Sequence, residues 1–520
     1  MQTTTTATQQ SATTDPARRA APGDVFAFPL ERVGRFGACT VVAVDESHEL
    51  ATVAVLAWTG SEIPVLADLT GVSPMVRDFM FWAPEEILKN VPIAVPSSYQ
   101  RIGALPVTGE SVSRSYSSWD FARTVERQHR WNSLPSERTS AFKAAVDGAG
   151  TVTTPGLTDS RSGKPYEARL SAARSFSDEA GYDIGAGFRM DSLAWPALYQ
   201  VTLHTWRDDL LPFLESSPLV SELALTGHGQ RDLDFSRTNL DQLSLDITGL
   251  ERLALPASLD RLILRGTGAV QVTAEQDGRW VSVHLTGAVP PVHGLERAEG
   301  LRIGAIEHLD LADVSKHFPH ISWLHLLGAP GVLDGIAELR SLQHVKTLWV
   351  CDLFGYGPDE FPGPDELPTL TSLDLDSVPV DVAAGVRAAY KKTPRVELTV
   401  GRPRKPEWLT ENLGNPLRRW DGREGIPGAT AKKATTAFVA AVRKVRDADA
   451  RLTAGAEHTK AVTAAVIDFL DVITALNSKR RFLDTLERDE VIDASTVLSA
   501  SLSPDACRAL EPLIEAALDD

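Results

Sequence analysis

Between Leu219 and Leu375 the chain repeats one short pattern, apolar–x–x–apolar–x–apolar. It opens as Leu219-x-x-x-Leu223-x-Leu225 and is cleanest at Leu240-x-x-Leu243-x-Leu245. Leu250-x-x-Leu253-x-Leu255 and Leu259-x-x-Leu262-x-Leu264 follow. Ile306-x-x-Leu309-x-Leu311, Ile321-x-x-Leu324-x-Leu326, Val345-x-x-Leu348-x-Val350 and Leu370-x-x-Leu373-x-Leu375 complete the series. The last apolar pair alternates with polar positions, the period of a strand buried on one face. Such units cannot bury that face alone, so their repetition predicts parallel strands stacked over one core.

The pattern resembles the leucine-rich repeat, which implies a parallel β solenoid. The spacing departs from it. Leu223 to Leu243, Leu324 to Leu348 and Leu348 to Leu373 leave room for a strand and a return element, with Leu333–Leu342 as one helical return. Leu243 to Leu253 and Leu253 to Leu262 are too short for a helix and predict bare turns. The asparagine usual after the strand is replaced by Asp246-Ile247-Thr248-Gly249. Val270–Thr273 and Trp280–Leu285, joined through Asp277-Gly278, read as an inserted hairpin. An irregular ladder over 193–400 is therefore expected. It is capped at its start by Trp195, Leu198, Val201, Leu203, Trp206, Leu210, Leu211 and Phe213.

In each unit the residues flanking the central leucine point away from the core. They are Glu222 and Ala224, Gln242 and Ser244, Arg252 and Ala254, and Arg261 and Ile263 in the first half. In the second half they are His308 and Asp310, Trp323 and His325, Thr347 and Trp349, and Ser372 and Asp374. Tryptophans ringed by polar groups have the make-up of an interface hot spot. Two readings of this face stay open. It binds a partner, or it is covered by the N-terminal domain or by the segment Val107–Ser177.

Upstream, residues 1–21 are rich in Thr and Gln and read as a flexible tail without a signal core. Residues 22–106 read as a small β-rich domain. Val25–Leu30 is an aromatic strand, and Cys39–Val44 and Leu50–Trp58 form a hairpin across Asp45–Glu49. Ala83–Leu88 reads as the start of a short helix. Residues 107–192 read as linker and loosely packed loops, with a helix near Trp119–Trp131. Downstream, Asp381–Lys392 is a helix and Val396–Val400 a last strand. Residues 401–428 are a linker whose Arg402, Arg404, Lys405, Arg418 and Arg419 suit an acidic partner or a solvated connector. Residues 429–520 are a helical bundle with faces at Phe438, Val442 and Val445 and at Val462, Val466, Phe469, Ile473 and Leu476. The fold class expected is α+β with several domains.

The stretch Gly23-Asp24-Val25-Phe26-Ala27-Phe28-Pro29-Leu30 followed by Gly34-Arg35-Phe36-Gly37 resembles the opening of polymorphic-toxin immunity family twenty-six. That resemblance implies a bacterial protein that neutralises a toxin by binding it directly. Residue by residue, Gly34 and Gly37 read equally as tight turns, and Phe26 and Phe28 as core.

Composition narrows the chemistry. A formal charge of -17 argues against general nucleic-acid binding, which needs a cationic surface. The three cysteines, Cys39, Cys351 and Cys507, are far apart, which suits a reducing, cytoplasmic compartment and gives no zinc signature. No run of about 18 apolar residues points to a membrane span. His317-x-x-His320 lacks a supporting ligand, and no cofactor motif is present. Cys507-Arg508-Ala509 lacks the acid of the Cys-x-Asp found in helical ubiquitin-ligase domains, so Cys507 reads as packing. The charges from Arg480 to Glu490 read as an ion lattice through Arg480–Asp484 and Asp484–Arg488. The function expected is a non-enzymatic protein-interaction module with its partner on the open face. The alternatives are an immunity-like protein acting through the N-terminal domain and an enzyme with a site at a domain junction.

Overall fold

The computed structural model describes residues 18–107, 113, 115–405, 408, 414–423, 425–453 and 455–519. The expected N-terminal tail lies largely outside these residues. The protein is mixed α/β and divides into two compact units, Met1–Ala224 and Leu225–Asp520.

The first unit holds a five-stranded antiparallel sheet. Its strands lie in the order Leu88–Pro92, Leu50–Gly60, Arg35–Asp45, Asp24–Leu30 and Gln100–Ala104. Phe26, Phe28, Val41, Val53, Val55 and Val91 alternate inward and meet Tyr99, Trp119 and Phe121 in one apolar cluster. Asp45 closes the expected hairpin by accepting from the backbone N–H of Ser47 and of His48. Gly34 ends a short 3-10 turn at φ 59°, a conformation open to glycine. Gly37 is not a turn. It lies inside a strand, where the Phe28 ring crosses so closely that an added Cβ would come within 2.8 Å of it.

Two expectations for this unit are corrected. Ala83–Leu88 is extended, because Ile87 donates to Met75 O and its own carbonyl accepts from Val55 N. From 115 to 192 the stretch read as linker and loops is ordered. Helices Ala122–Ser133 and Ser136–Asp147 are followed by a three-stranded sheet of Thr151–Asp159, Pro165–Arg169 and Tyr182–Ile184. Phe176 stacks on Tyr182 and Phe188, and the Trp195 indole N–H donates to Thr154 Oγ1 at 2.7 Å. Few, separated aromatics hold this region, so it carries no long apolar period. Trp195, Leu198, Val201, Leu203, Leu210 and Phe213 are buried within this first unit.

In the second unit the chain alternates between two parallel sheets. Asp232–Asp234, Arg252–Ala254, Val270–Thr273 and Val292–His293 form one. Gln242–Asp246, Arg261–Arg265, Ser282–Thr286 and Gly300–Asp310 belong to the other, which continues through Trp323–Asp334, Thr347–Phe354, Ser372–Asp376 and Glu397–Gly401. The nine- and ten-residue gaps therefore separate strands of different sheets. Direct neighbours are a full circuit apart: Leu243 pairs with Leu262, Leu262 with Val283, Val283 with Leu301 and Leu301 with Leu324. For the same reason Val270–Thr273 and Ser282–Thr286 are not a hairpin. Each pairs in parallel with strands before and after it.

Later circuits return differently. After Val292–His293 the second sheet stops and helix Leu311–His317 follows, capped by Asp310. The ring of buried His317 lies 2.9 Å, through Nδ1, from the carbonyl of Val292 and serves as its donor at the edge of the finished sheet. Ile336–Ser341 makes a 3-10 return, and helix Val380–Tyr390 precedes the last strand, as expected.

Helices Gly428–Arg451, Ala456–Arg480, Thr485–Ser499 and Pro504–Asp519 close the chain around Phe438, Val462, Val466, Phe469 and Ile473. Among the described residues one helical stretch, Ala456–Lys479, is long and apolar enough to cross a membrane, with a mean hydropathy of 1.5 over its most apolar window. Its strongest apolar face is buried among the other helices. The 401–428 connector is more than solvated chain. Leu417 and Trp420 are fully buried in the bundle core, and the Arg423 guanidinium meets Glu487 at 2.8 Å and Glu490 at 2.7 Å. Asp484 caps Thr485–Ser499 in a reciprocal box with Glu487. Cys507 packs against the bundle core, as expected.

Gly294 tests the circuit geometry. It sits at φ 89°, and an added Cβ would lie 1.9 Å from the carbonyl oxygen of Val272 on the preceding circuit. Gly294→Ala is expected to cost roughly 1–3 kcal/mol, read as a lower urea midpoint at an unchanged slope.

Candidate functional site

The outward face of the longer sheet is built by register. The inward residues Leu243, Leu262, Val283, Leu301, Leu324, Leu348 and Leu373 are all fully buried. The residue on either side of each must therefore face outward, and strand pairing aligns these residues in two rows. The first row runs Gln242, Arg261, Ser282, Gly300, Trp323, Thr347 and Ser372. The second runs Ser244, Ile263, His284, Arg302, His325, Trp349 and Asp374.

Arg261, Trp323, His325, Thr347, Trp349, Ser372 and Asp374 thus share this face, as the flanking rule requires. Four expected members do not. Arg252 and Ala254 belong to the other sheet, where Arg252 pairs with Asp232 at 2.7 Å. His308 and Asp310 lie further along their strand, where Leu309 pairs with Leu333 rather than with Leu324. His308 is ion-paired with Asp334 at 2.8 Å, and Asp310 is spent on its helix cap. The motif at Ile306 was in phase with itself and out of phase with the ladder. The true members of that circuit are Gly300 and Arg302. The circuit before it contributes His284. Their signal was the plain alternation Val281, Val283, Leu285 and Leu301, Ile303, without the third apolar position.

Gly300 shapes the site. Its missing side chain lets the Trp323 indole lie flat across the neighbouring strand, where an added Cβ would come 2.0 Å from the ring. The indole thereby reaches His284 two strands away, edge to face at 6.3 Å. On its other side Trp323 meets His325 at 4.9 Å, and His325 meets Trp349 at 5.4 Å. The result is a continuous ridge of His284, Trp323, His325 and Trp349, each partly exposed. Arg302, exposed, pairs in register with both histidines, and Asp374 pairs with Trp349.

Electrostatics keeps the histidines neutral. Burial, then the charges of Arg261 and Arg302, hold His284 down to about 4. Burial and Arg302 also lower His325, partly offset by Asp374. Cys351, on the outward side of the next position, is pushed up to about 12 by burial and by Asp352 and Asp376, so its thiol is not a nucleophile at neutral pH. The arrangement offers flat aromatic area, neutral imidazoles, the two cations Arg261 and Arg302, and the carboxylate of Asp374.

The metal candidate does not assemble. His317 faces Val292 O and lies beside His293, while the His320 ring neighbours that of His344. Among the described residues no group of three or more His, Cys, Asp or Glu side chains sits together. Two of the five basic connector residues meet carboxylates of their own chain. Arg402 pairs with Asp376, and Arg404 pairs with Asp421 at 2.8 Å while lying over the Trp408 ring. Compared with known proteins, the chain matches no family model and no curated protein.

The neutral histidines predict a pH dependence. The unfolded chain protonates His284 near the ordinary 6.5, and the folded chain only near 4. Between those values the unfolded state binds more protons, so stability falls as pH drops through this window and levels off below it. Urea unfolding at steps from about pH 7 to pH 4 should show this slope, and His284→Gln should flatten it.

Proposed function

We propose that the second unit is a degenerate parallel-strand solenoid of leucine-rich-repeat type that binds a protein partner on its outward face. The observation that supports this most directly is the aromatic ridge. Tryptophan and arginine at the centre of a face are the residues that carry most interface energy. Here Trp323 and Trp349 stand partly exposed beside Arg302 on strands fixed by their inward leucines. A rigid face of this kind loses little conformational entropy on binding. The partner surface that complements it presents an apolar patch with a carboxylate opposite Arg302.

The test is affinity capture from the native cell with the full chain and with Trp323→Ala plus Trp349→Ala. Both substitutions leave the inward leucines untouched, so the circular dichroism spectrum should be unchanged. Specific partners should be lost, with affinity reduced by about a hundredfold or more. A folded double variant that captures the same partners equally well defeats the proposal.

A second reading, an immunity-like protein that captures a toxin through the first unit, has one observation in its favour. The two-stranded ribbon of Val76–Arg77 and Glu85–Glu86 carries exposed Val76 and Trp82, at 43% and 49% exposure, with the Arg77 guanidinium over the Trp82 ring. Under this reading Trp82→Ala abolishes protection against a cognate toxin while the ridge variant retains it. The reverse outcome favours the ridge.

A further inference from the structure

A second surface of the same sheet carries a different chemistry. It lies at the rim where the strands begin. Ser282, Gly300, Trp323, Thr347 and Ser372 are in register across adjacent strands. Three residues before them stand Arg279, Arg297, His320, His344 and Thr369. These five residues stand in the turns before the strands and line one cleft, and Lys346 adds a further cation immediately before its strand. The His320 and His344 rings are 5.3 Å apart, close to the ~4.8 Å spacing of neighbouring strands.

The rim is anchored from below. Ser322 N donates to Glu299 O, Lys346 N to Ser322 O and Thr371 N to Lys346 O, at 2.7–2.8 Å. The Ser322 and Thr371 hydroxyls donate to the same carbonyls of the preceding circuit. These residues border a cleft of about 500 Å³, within the size range of small-ligand sites. Three permanent cations and two histidines line it against the single carboxylate of Glu299. That balance is the reverse of the chain's formal charge of -17.

We propose that this cleft binds a small anion carrying two or more phosphate groups. Guanidinium forks match phosphate oxygens with paired hydrogen bonds, and a lysine adds a compact point charge. The row from Arg279 to Thr369 crosses five strands and extends about 19 Å at ordinary strand spacing, longer than a single phosphate. The site is distinct from the aromatic ridge and does not rest on the partner-binding reading.

The probe is tripolyphosphate, titrated calorimetrically into the full chain at constant ionic strength, with citrate and sulfate as comparison anions. Saturable binding with one site per chain is expected, tighter than for either comparison anion. Arg297→Glu plus Lys346→Glu should weaken it by at least about tenfold, because two attractive charges become repulsive. Circular dichroism confirms that the variant folds. If it does not, Lys346→Gln alone carries the test, with an expected loss of about threefold or more. Trp323→Ala plus Trp349→Ala should bind the probe as the parent does, which separates this site from the ridge. No saturable binding below about 1 mM, tighter binding of citrate, or equal affinity in the folded rim variants overturns the proposal.

Discussion

Everything in the second unit depends on one constraint, the in-register stacking of inward aliphatic side chains from one circuit to the next. A fully buried leucine contributes roughly 1.5–3 kcal/mol relative to an exposed one. A slip of one residue in any strand would turn its inward set to solvent. The stack from Leu243 through Leu373 consists of fully buried residues, so register is heavily specified. The outward rows inherit that order without being selected for contact with one another. The same register that buries Leu301 and Leu324 sets Arg302 beside His325 and leaves Gly300 under Trp323. Site geometry here is a by-product of core packing.

The circuits lengthen along the chain, and this divides the unit into unlike halves. Arg261 reaches Gln242 nineteen residues earlier, whereas Thr371 reaches Lys346 twenty-five earlier. A short circuit has room only for a second strand, so the early half is walled by two sheets. A longer circuit replaces that strand with a helix, a 3-10 turn or an irregular return. The change falls at His317, whose ring meets the last carbonyl of the discontinued sheet. Side chains also tie successive circuits across their outer edges, as in Arg252 with Asp232 and Arg402 with Asp376. Such exposed pairs add little stability, and they discourage misaligned pairing between circuits.

This explains what was legible in the sequence. Several strands that carried both alternation and a preceding apolar residue, as at Leu240–Leu245 and Val345–Val350, have the face assignment expected. The motif failed where two sheets share it. Leu250–Leu255 has the same letters as its neighbours, and only three-dimensional pairing reveals that Arg252 belongs to the other wall. It failed again at Ile306–Leu311, where a long strand contains two alternating stretches and the better-looking one is not the ladder position. Helices with long apolar faces, such as Ala456–Arg480, were plain. The packed region 115–192 was not, because its core comes from a few aromatics brought together from distant segments.

The two outward surfaces of the sheet differ for an electrostatic reason rooted in the same register. On the ridge, Arg302 sits between His284 and His325, and its charge together with burial keeps both rings neutral. A neutral aromatic ridge can be desolvated against a partner at modest cost, since no ion must leave water. At the rim the cations stand on turns before the strands, where solvent and aliphatic stems share the cleft. There, charge is cheap to keep, because water still reaches it. One ladder thus separates an aromatic surface from a cationic one by a displacement of three residues along the chain.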